Sequence, residues 1–493
     1  MKNKIFEVGL AHGVFDVIHI GHIEHFREAK AHCNKLIVSV TADKFVNKGP
    51  NRPAFDIKER VALLKSIIYV DDVIVSNHET AIESINKIKP NVYFKGFDYS
   101  KIDVRSKNNL NKEIRELKKF GGKFLITNSK LRSSSKILNE NYNYIKEDAK
   151  IFLKTINKNE TLKKLTNSLF EIKKKNYNVL LTGEPILDYY THVTLQGKSQ
   201  KSSVISASKI ATDKYGGGSI LVANLLSEVM DVFGYLINGN DRTKKLLKNY
   251  LTNSNKINLI TTNDQSIQKF LIKQRFIDKY SNARLFQLNE NQKFFNLDKN
   301  NLKFQKTFLR IIEKFENIII FDFGYGFFNE NFSNSLKRKN NKFYINCQTN
   351  SSNFGYNLFS KYKKAEILCV DEAEFRLTVK NKHDELHNLI VQNKKFLRNY
   401  KIFVVTSGAR GCHILYKKKI EYIPSVFETT LDTTGCGDIF FSIFIYLYLQ
   451  QKFSLKEIAF LSHIVAGLHG LNDGNKNIIN KNNFFQTAQS LLK

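Results

Sequence analysis

The stretch Gly13–His22, GVFDVIHIGH, decides how the first part of this 493-residue chain is read. An apolar run, Phe6–Ala11, precedes it, and a helix-period segment, Gly21–His32, follows, so it spans a strand-to-helix corner. A helix start presents unpaired N–H groups and positive potential, which suits a triphosphate. His19 and His22 stand one turn apart, where two imidazoles can hydrogen-bond an α-phosphate as it becomes five-coordinate. Gly21 between them lets a nucleotide approach the backbone. Two other readings of the same residues stay open: a zinc site completed by His25 or Cys33, and histidines with no ligand at all.

Outward from that corner, short apolar runs at Leu36–Thr41, Asp72–Val75, Val92–Lys95 and Lys123–Thr127 alternate with helical patterns near Asp56–Ile68, Glu79–Ile88 and Lys107–Phe120. Alternation at this spacing predicts an α/β domain over residues 1–138 with a doubly wound parallel sheet. Ligands on such sheets bind beyond the carboxyl ends of the strands. Residues 139–177 contain neither Gly nor Pro and carry helical periodicity through Ile151, Leu162, Leu165 and Leu169, which predicts a lysine-rich helical linker. A second alternating α/β region runs over 178–493 and has the size of one large domain.

The first region resembles the cytidylyltransferase-like nucleotidyltransferases. Gly13–Val14–Phe15–Asp16 followed by His19–Ile20–Gly21–His22 matches their GxFDxxHxGH signature. The likeness continues through VSVTAD (ending at Asp43), KGPNRPAFDIKERVALL (Lys48, Arg52, Pro53, Arg60), KPNVYFKGFDY (Lys95, Gly96, Asp98, Tyr99) and KLRSSSKIL at 130–138. It implies that His19 and His22 are catalytic. It implies nucleotide contacts from Gly13, Phe15, Asp16, Gly21, Lys48, Arg60, Lys95 and Asp98. Arg132, Ser133, Ser134 and Ser135 would hold the β- and γ-phosphates, although three serines at a helix start also read as a plain N-cap. The middle motifs look most like the heptose-phosphate adenylyltransferase branch; the nucleotide is ATP or CTP.

A second decisive stretch is Asp432–Asp438, DTTGCGD, just before the apolar run Ile439–Leu449. Gly435, Cys436 and Gly437 expose backbone N–H groups as an anion hole at a helix start. Asp438 is then placed to accept a proton from an attacking hydroxyl. A glycine turn with an ordinary helix-start Asp is the plainer alternative. The stretch resembles the DTxGAGD signature of ribokinase-like (PfkB-type) carbohydrate kinases, with Cys436 in the place of Ala. TSGARGCHIL resembles the strand that lines their ATP site, through Thr406, Gly408 and Gly411. DEAEF resembles their NxxE motif, with Asp371 in the place of Asn, and implies that Glu374 orients Mg2+-bound water. TGEPILDYY implies that Asp188 binds sugar hydroxyls, with Glu184 replacing the usual first Asp. In the glycine segment, Gly217 and Gly218 are kept, Leu221 stands where a sugar-binding Asn is usual, and Asn224 one turn later is expected to substitute. FDFGYG carries Tyr325 where the family has Lys, so the cation that would grip a distal phosphate is missing there. The segment Ser202–Asp213 alternates well enough to be the strand lid used for contacts in a homodimer.

Together the resemblances imply a fusion like the bifunctional heptose-7-phosphate kinase/heptose-1-phosphate adenylyltransferases, with the two parts in reversed order. The expected activity is a sugar-phosphate kinase joined to a nucleotidyltransferase that makes a nucleotide-activated, heptose-like sugar. The alternative is a nucleotidyltransferase for a polyol or alcohol phosphate with a degenerate kinase module. Composition agrees with a globular enzyme: 42% of residues are apolar and 25% charged. The net charge of +31 comes mostly from Lys scattered among Asn and Ile, without an Arg-rich stripe, which argues against a nucleic acid as specific partner. Five widely spaced cysteines without a CxxC pair fit a reducing, cytoplasmic setting. The run Ile439–Leu449 is too short to span a bilayer and reads as a buried helix, so no membrane partner is expected.

Overall fold

Five parallel strands form the first sheet, in the order β3-β2-β1-β4-β5. They are β1 (Phe6–Gly13), β2 (Cys33–Thr41), β3 (Asp72–Ser76), β4 (Val92–Lys95) and β5 (Lys123–Ile126). The computed structural model describes residues 6–46, 52–96, 104–127, 145–170, 177–198, 203–236, 241–252, 257–260, 270–290, 299–336, 339–351, 353–427, 430–472, 474–476 and 479–492. Both faces of the sheet are covered because neighbouring residues are apolar in pairs. Ala11, Val38 and Phe94 pack with Phe26 of the helix Ile20–His32. Leu10 and Tyr93 pack with Ile85 and Leu117 on the other side. The strand order reverses between β1 and β4, so the crevice for a ligand opens beyond Gly13 and Lys95.

The segment read as a linker holds the helices Glu147–Lys154 and Lys158–Phe170. The chain divides into two compact units, one made of residues 1–171 with 482–493, the other of residues 172–481. The return of the last residues to the first unit is seen in Phe485 of the helix Lys481–Leu491, whose ring meets that of Phe170 edge-on at 5.5 Å.

The second unit contains a nine-stranded sheet, β10-β9-β6-β13-β14-β15-β16-β17-β18. Its strands are β6 (Val179–Gly183), β9 (Val232–Leu236), β10 (Ile257–Leu259), β13 (Asn317–Asp322), β14 (Lys342–Cys347), β15 (Ala365–Asp371), β16 (Tyr400–Thr406), β17 (Cys412–Tyr416) and β18 (Lys419–Ile423). The run from β10 to β16 is parallel, and a closing meander makes β17 and β18 antiparallel. The helix Cys436–Gln450 is buried along nearly its whole length, and its Phe441 packs on Phe321 of β13. An all-round apolar helix is stable only inside a protein core, which accounts for the run Ile439–Leu449. Among the described residues no helix is long and apolar enough to cross a membrane.

A separate four-stranded sheet, β12-β11-β7-β8, grows from the carboxyl end of β6. It comprises β7 (Pro185–Lys198), β8 (Ile205–Gly218), β11 (Leu271–Asp278) and β12 (Arg284–Glu290). The expected lid strand at 202–213 is β8, shifted toward Gly218. Its chain leaves through Gly218 at φ 55, where a Cβ would press on the Glu184 carbonyl.

Candidate active sites

The first site is the loop after β1 and the start of the helix Ile20–His32. His19 is the N-cap, and its Nδ1 accepts from the Gly21 N–H at 3.1 Å. His22 Nδ1 in turn accepts from the His19 N–H at 3.4 Å. This is a capping box built from two histidines, and it stacks the rings with centroids 4.0 Å apart. Because both Nδ1 atoms accept, the neutral rings carry their proton on Nε2, the form that donates to an oxyanion. Phe15, at the left-handed φ of 48°, sets its ring edge against His22 at 5.5 Å. A Cβ on Gly13 would meet that Phe15 ring.

Beneath lies a buried polar layer. His12 Nδ1 bonds Ser39 Oγ at 3.0 Å, and Ser39 bonds Ser84 at 2.7 Å. His25 Nδ1 bonds Thr127 Oγ1 at 2.7 Å. Lys95, buried at the end of β4, donates to the His12 carbonyl at 3.3 Å. Burial first, and the Lys95 charge second, push His12 down to about 3 and His25 down to about 4. His25 is thus a neutral core residue, and among the described residues no group of three His, Cys, Asp or Glu could hold a metal ion.

Asp16 and Arg60, for which the motif implies nucleotide contact, make extensive hydrogen bonds within the protein. The buried Asp16 carboxylate accepts from Ala54 N at 2.6 Å, Phe55 N at 3.3 Å and Arg52 at 3.1 Å. Arg60 is wholly buried and donates to Val14 O at 2.7 Å, to Phe55 O at 3.0 Å and to Asp43. Both tie the chain at 52–60 to the loop that follows β1. Lys48, Asp98, Arg132, Ser133, Ser134 and Ser135 lie outside the described residues.

The second site lies where the lid sheet meets the carboxyl edge of the large sheet. Gly435, at φ 78, is the N-cap of the helix Cys436–Gln450; a Cβ there would strike Leu221 at 2.8 Å and His469 at 3.2 Å. Space around Gly437 is open. Asp438, in the first helical turn, is buried and accepts from Gln348 Nε2. Burial pushes its carboxyl up to about 7, against the Gln348 hydrogen bond and the Lys273 charge, which lower it. Cys436 is no nucleophile: burial, Asp432 and Asp438 push its thiol up to about 12. Asp432 holds the turn by accepting from Thr434 N at 2.7 Å and pairs with Arg284 of β12.

Asp188 of β7 is clamped by Arg275 at 2.6 Å and by Asn475 Nδ2 at 2.8 Å. Gly217 is required beside it, since any Cβ would collide with the carboxylate. Near this clamp the Tyr190 hydroxyl and Asn475 Oδ1 are buried without a hydrogen-bond partner among the described residues. Buried polar atoms of this kind call for a further partner, a water or a ligand group. Glu184 accepts from Phe323 N at 3.0 Å and Tyr325 N at 3.3 Å, and burial beside Asp322 pushes it up to about 8.

Asn224 does not replace the sugar-binding Asn that was expected of it. Its amide donates to Tyr250 O at 2.8 Å and accepts from Thr252 N at 2.9 Å, so both ends hold the chain at 250–252. At the ATP-side motifs, Thr406 ends β16, and Gly408 and Gly411 take φ of 54° and 100° around a short 3-10 turn. A side chain on Gly411 would run into the Ile423 carbonyl. Glu374 caps its own helix, Glu372–Val379, by accepting from Asp371 N at 2.8 Å, and also accepts from Thr349 N at 2.9 Å. Burial pushes it up to about 8. With about four lone-pair positions on a carboxylate, two remain for a further partner, which leaves room for a water bound to Mg2+.

Two family models match. The cytidylyltransferase-like model covers residues 10–211 and the pfkB family carbohydrate kinase model covers residues 331–477. The chain joins a cytidylyltransferase-like domain to a pfkB carbohydrate kinase domain. The first match runs past β5 into β6, β7 and β8, yet β6 pairs with β9 and β13, so the strands after residue 177 belong to the second unit. Among curated proteins, the chain is 38% identical over 101 residues to the bifunctional protein HldE of Paramagnetospirillum magneticum, 20% of this chain and 21% of the relative. It is 32% identical over 127 residues to the protein of the same name from Acidiphilium cryptum, 25% of each chain. The chain thus spans about a fifth to a quarter of the length of these relatives. Among solved structures, phosphofructokinase-2 of Escherichia coli superposes with a TM-score of 0.49 at 13% identity, over 64% of this chain and 99% of that one. Arabidopsis thaliana ribokinase gives 0.48 at 13%, over 65% and 99%.

Sequence reasoning missed Lys273, Arg275, Gln348, Tyr190 and Asn475. One signal was available: LIKQRFID places two cations at alternate positions of a strand between two apolar pairs, which puts them on one face.

Proposed function

We propose that the chain is a bifunctional transferase that phosphorylates a sugar phosphate, giving a sugar bisphosphate and ADP, and at its other site couples a sugar-1-phosphate to a nucleotide. The observation that carries this reading is the pairing of two phosphate-handling helix starts on one chain: the His19–His22 capping box and the Asp438 turn behind left-handed Gly435. In the kinase cleft, Asp188, Tyr190 and Asn475 orient the sugar. Asp438 takes the proton of the attacking hydroxyl as its oxygen bonds to the γ-phosphorus and the bond to the β-phosphate oxygen breaks. The N–H groups of Gly435, Cys436 and Gly437 stabilise the charge on the moving group. Glu374 would order the water of a Mg2+ ion bound with ATP, and the chemistry such an ion would supply is neutralisation of phosphate charge. In the transferase crevice, a sugar-1-phosphate oxygen attacks the α-phosphorus of the nucleotide and pyrophosphate leaves. The Nε2–H groups of His19 and His22 steady the five-coordinate phosphorus, with Gly21 allowing close approach.

The finer reading is a heptose-like sugar and ATP, supported by the likeness of the first domain to the HldE proteins. We also propose a homodimer through the lid sheet, which leaves Leu195, Ile205, Phe286 and Leu288 exposed. The test is an assay of purified protein with ATP or CTP and a panel of hexose and heptose phosphates. ADP and pyrophosphate are measured separately. Release of both supports the bifunctional reading. Pyrophosphate without ADP from any acceptor supports instead a nucleotidyltransferase with a degenerate kinase module.

A further inference from the structure

The kinase family position that would supply a cation is Tyr325, and its backbone N–H is bound to Glu184. The structure brings a different cation there. Lys273 Nζ lies over the Tyr325 ring, 5.7 Å from its centroid. Strand register explains how. In the parallel ladder of β11 and β7, Lys273 stands opposite Asp188 and Arg275 opposite Tyr190. Partners in a parallel ladder send side chains to the same face, and residues two apart share a face. The face of the lid that carries Asp188 therefore also carries Lys273 and Arg275.

The cations on that side differ in one respect. Arg275 is paired with Asp188, and Arg284 with Asp432. The Lys273 ammonium makes no hydrogen bond or ion pair with any described residue. The carboxylates whose charges reach it already have donors of their own: Asp188 has Arg275 and Asn475, Glu184 has two backbone N–H groups, and Asp438 has Gln348. A poorly solvated ammonium without a counter-ion is costly, and burial accordingly lowers the Lys273 pKa. An anion entering the cleft would remove that cost.

We infer that Lys273 receives an anionic substituent of the acceptor, remote from the hydroxyl that reacts at Asp438, and so makes the kinase cleft selective for phosphorylated over neutral sugars. The inference rests on the kinase reading above and assigns a positioning residue to its acceptor.

The test measures binding and turnover side by side. Sedoheptulose 7-phosphate, mannose 6-phosphate and their unphosphorylated parents are titrated into the full chain with a non-hydrolysable ATP analogue, for wild type, Lys273→Met and Lys273→Arg. Wild type is expected to bind at least one phosphorylated sugar more tightly than its parent. Loss of a charge-assisted contact is expected to weaken that binding about 10–100-fold in Lys273→Met, with binding of the neutral sugar unchanged. Lys273→Arg is expected to restore the preference. In turnover at a pH well above 7, where Asp438 is ionised with or without the Lys273 charge, Lys273→Met should raise KM and leave kcat near wild type. An unchanged preference in Lys273→Met, equal loss for charged and neutral sugars, or no preference in wild type overturns the inference. A preference that depends on Lys273 in a protein that releases no ADP keeps the inference and removes the kinase reading.

Discussion

The two sites are built on opposite plans. In the first, the two implied catalytic histidines sit three residues apart and hold each other through one helical turn, so the motif is also the geometry. In the second, Asp438 answers to Gln348 from another strand end, while Asp188 is clamped by Arg275 and by Asn475, the last 287 residues away. A short-range site is written in consecutive letters. A long-range one is written in the register of strands and in what the lid brings down, and no window of sequence contains it.

The hardest test of the assembled site is Asp438→Asn. It keeps the size of the side chain but removes the proton acceptor, and general-base loss is expected to cut sugar phosphorylation about 10²–10⁴-fold. Coupling of supplied sugar-1-phosphate should continue. The wild-type pH profile sharpens the point. Burial raises the Asp438 pKa to about 7, so the base is protonated and idle below that pH, and the rate of ADP release should climb as pH rises through about 7. Asp438→Asn should lose this limb along with the rate. A flat wild-type profile, or a variant that keeps its ADP release, removes Asp438 from the role.

For the local site, His19→Ala or His22→Ala removes one oxyanion donor, and a loss of about 10²–10³-fold in pyrophosphate release is expected. ADP formation should stay intact. Because each ring also caps the helix for the other, His22→Ala should lower the melting temperature slightly as well, a coupling that the kinase site lacks. Near-normal pyrophosphate release in both variants would break the comparison at its simpler end.

The smallest effect concerns Asn224. Its amide is bound at both ends to the chain at 250–252, so Asn224→Ala leaves buried backbone groups unpaired and is expected to destabilise the second unit by about 1–3 kcal/mol in denaturant titration. KM for the acceptor should hold. A selective rise in that KM with unchanged stability would return Asn224 to the sugar.

Much of the frame was legible in advance. Val92–Lys95 is a strand with the expected bounds, and the run Ile439–Leu449 lies in a buried helix, because apolar periodicity reports burial directly. Asp16 and Arg60 show where a motif stops short. Their place in the pattern says they matter, while their hydrogen bonds show that they brace the loop from within.

By itself the sequence determined the α/β character of both regions, the helix starts that carry His19, His22 and Asp438, and the glycines whose missing side chains those turns need. These are consequences of local periodicity and local sterics. Only the tertiary structure decided that Asn224 serves the chain rather than the cleft, that Gln348 tunes Asp438, and that the cation absent at Tyr325 arrives as Lys273 from the lid. Those roles depend on strand register and on which buried groups find partners, and both are set when distant segments meet.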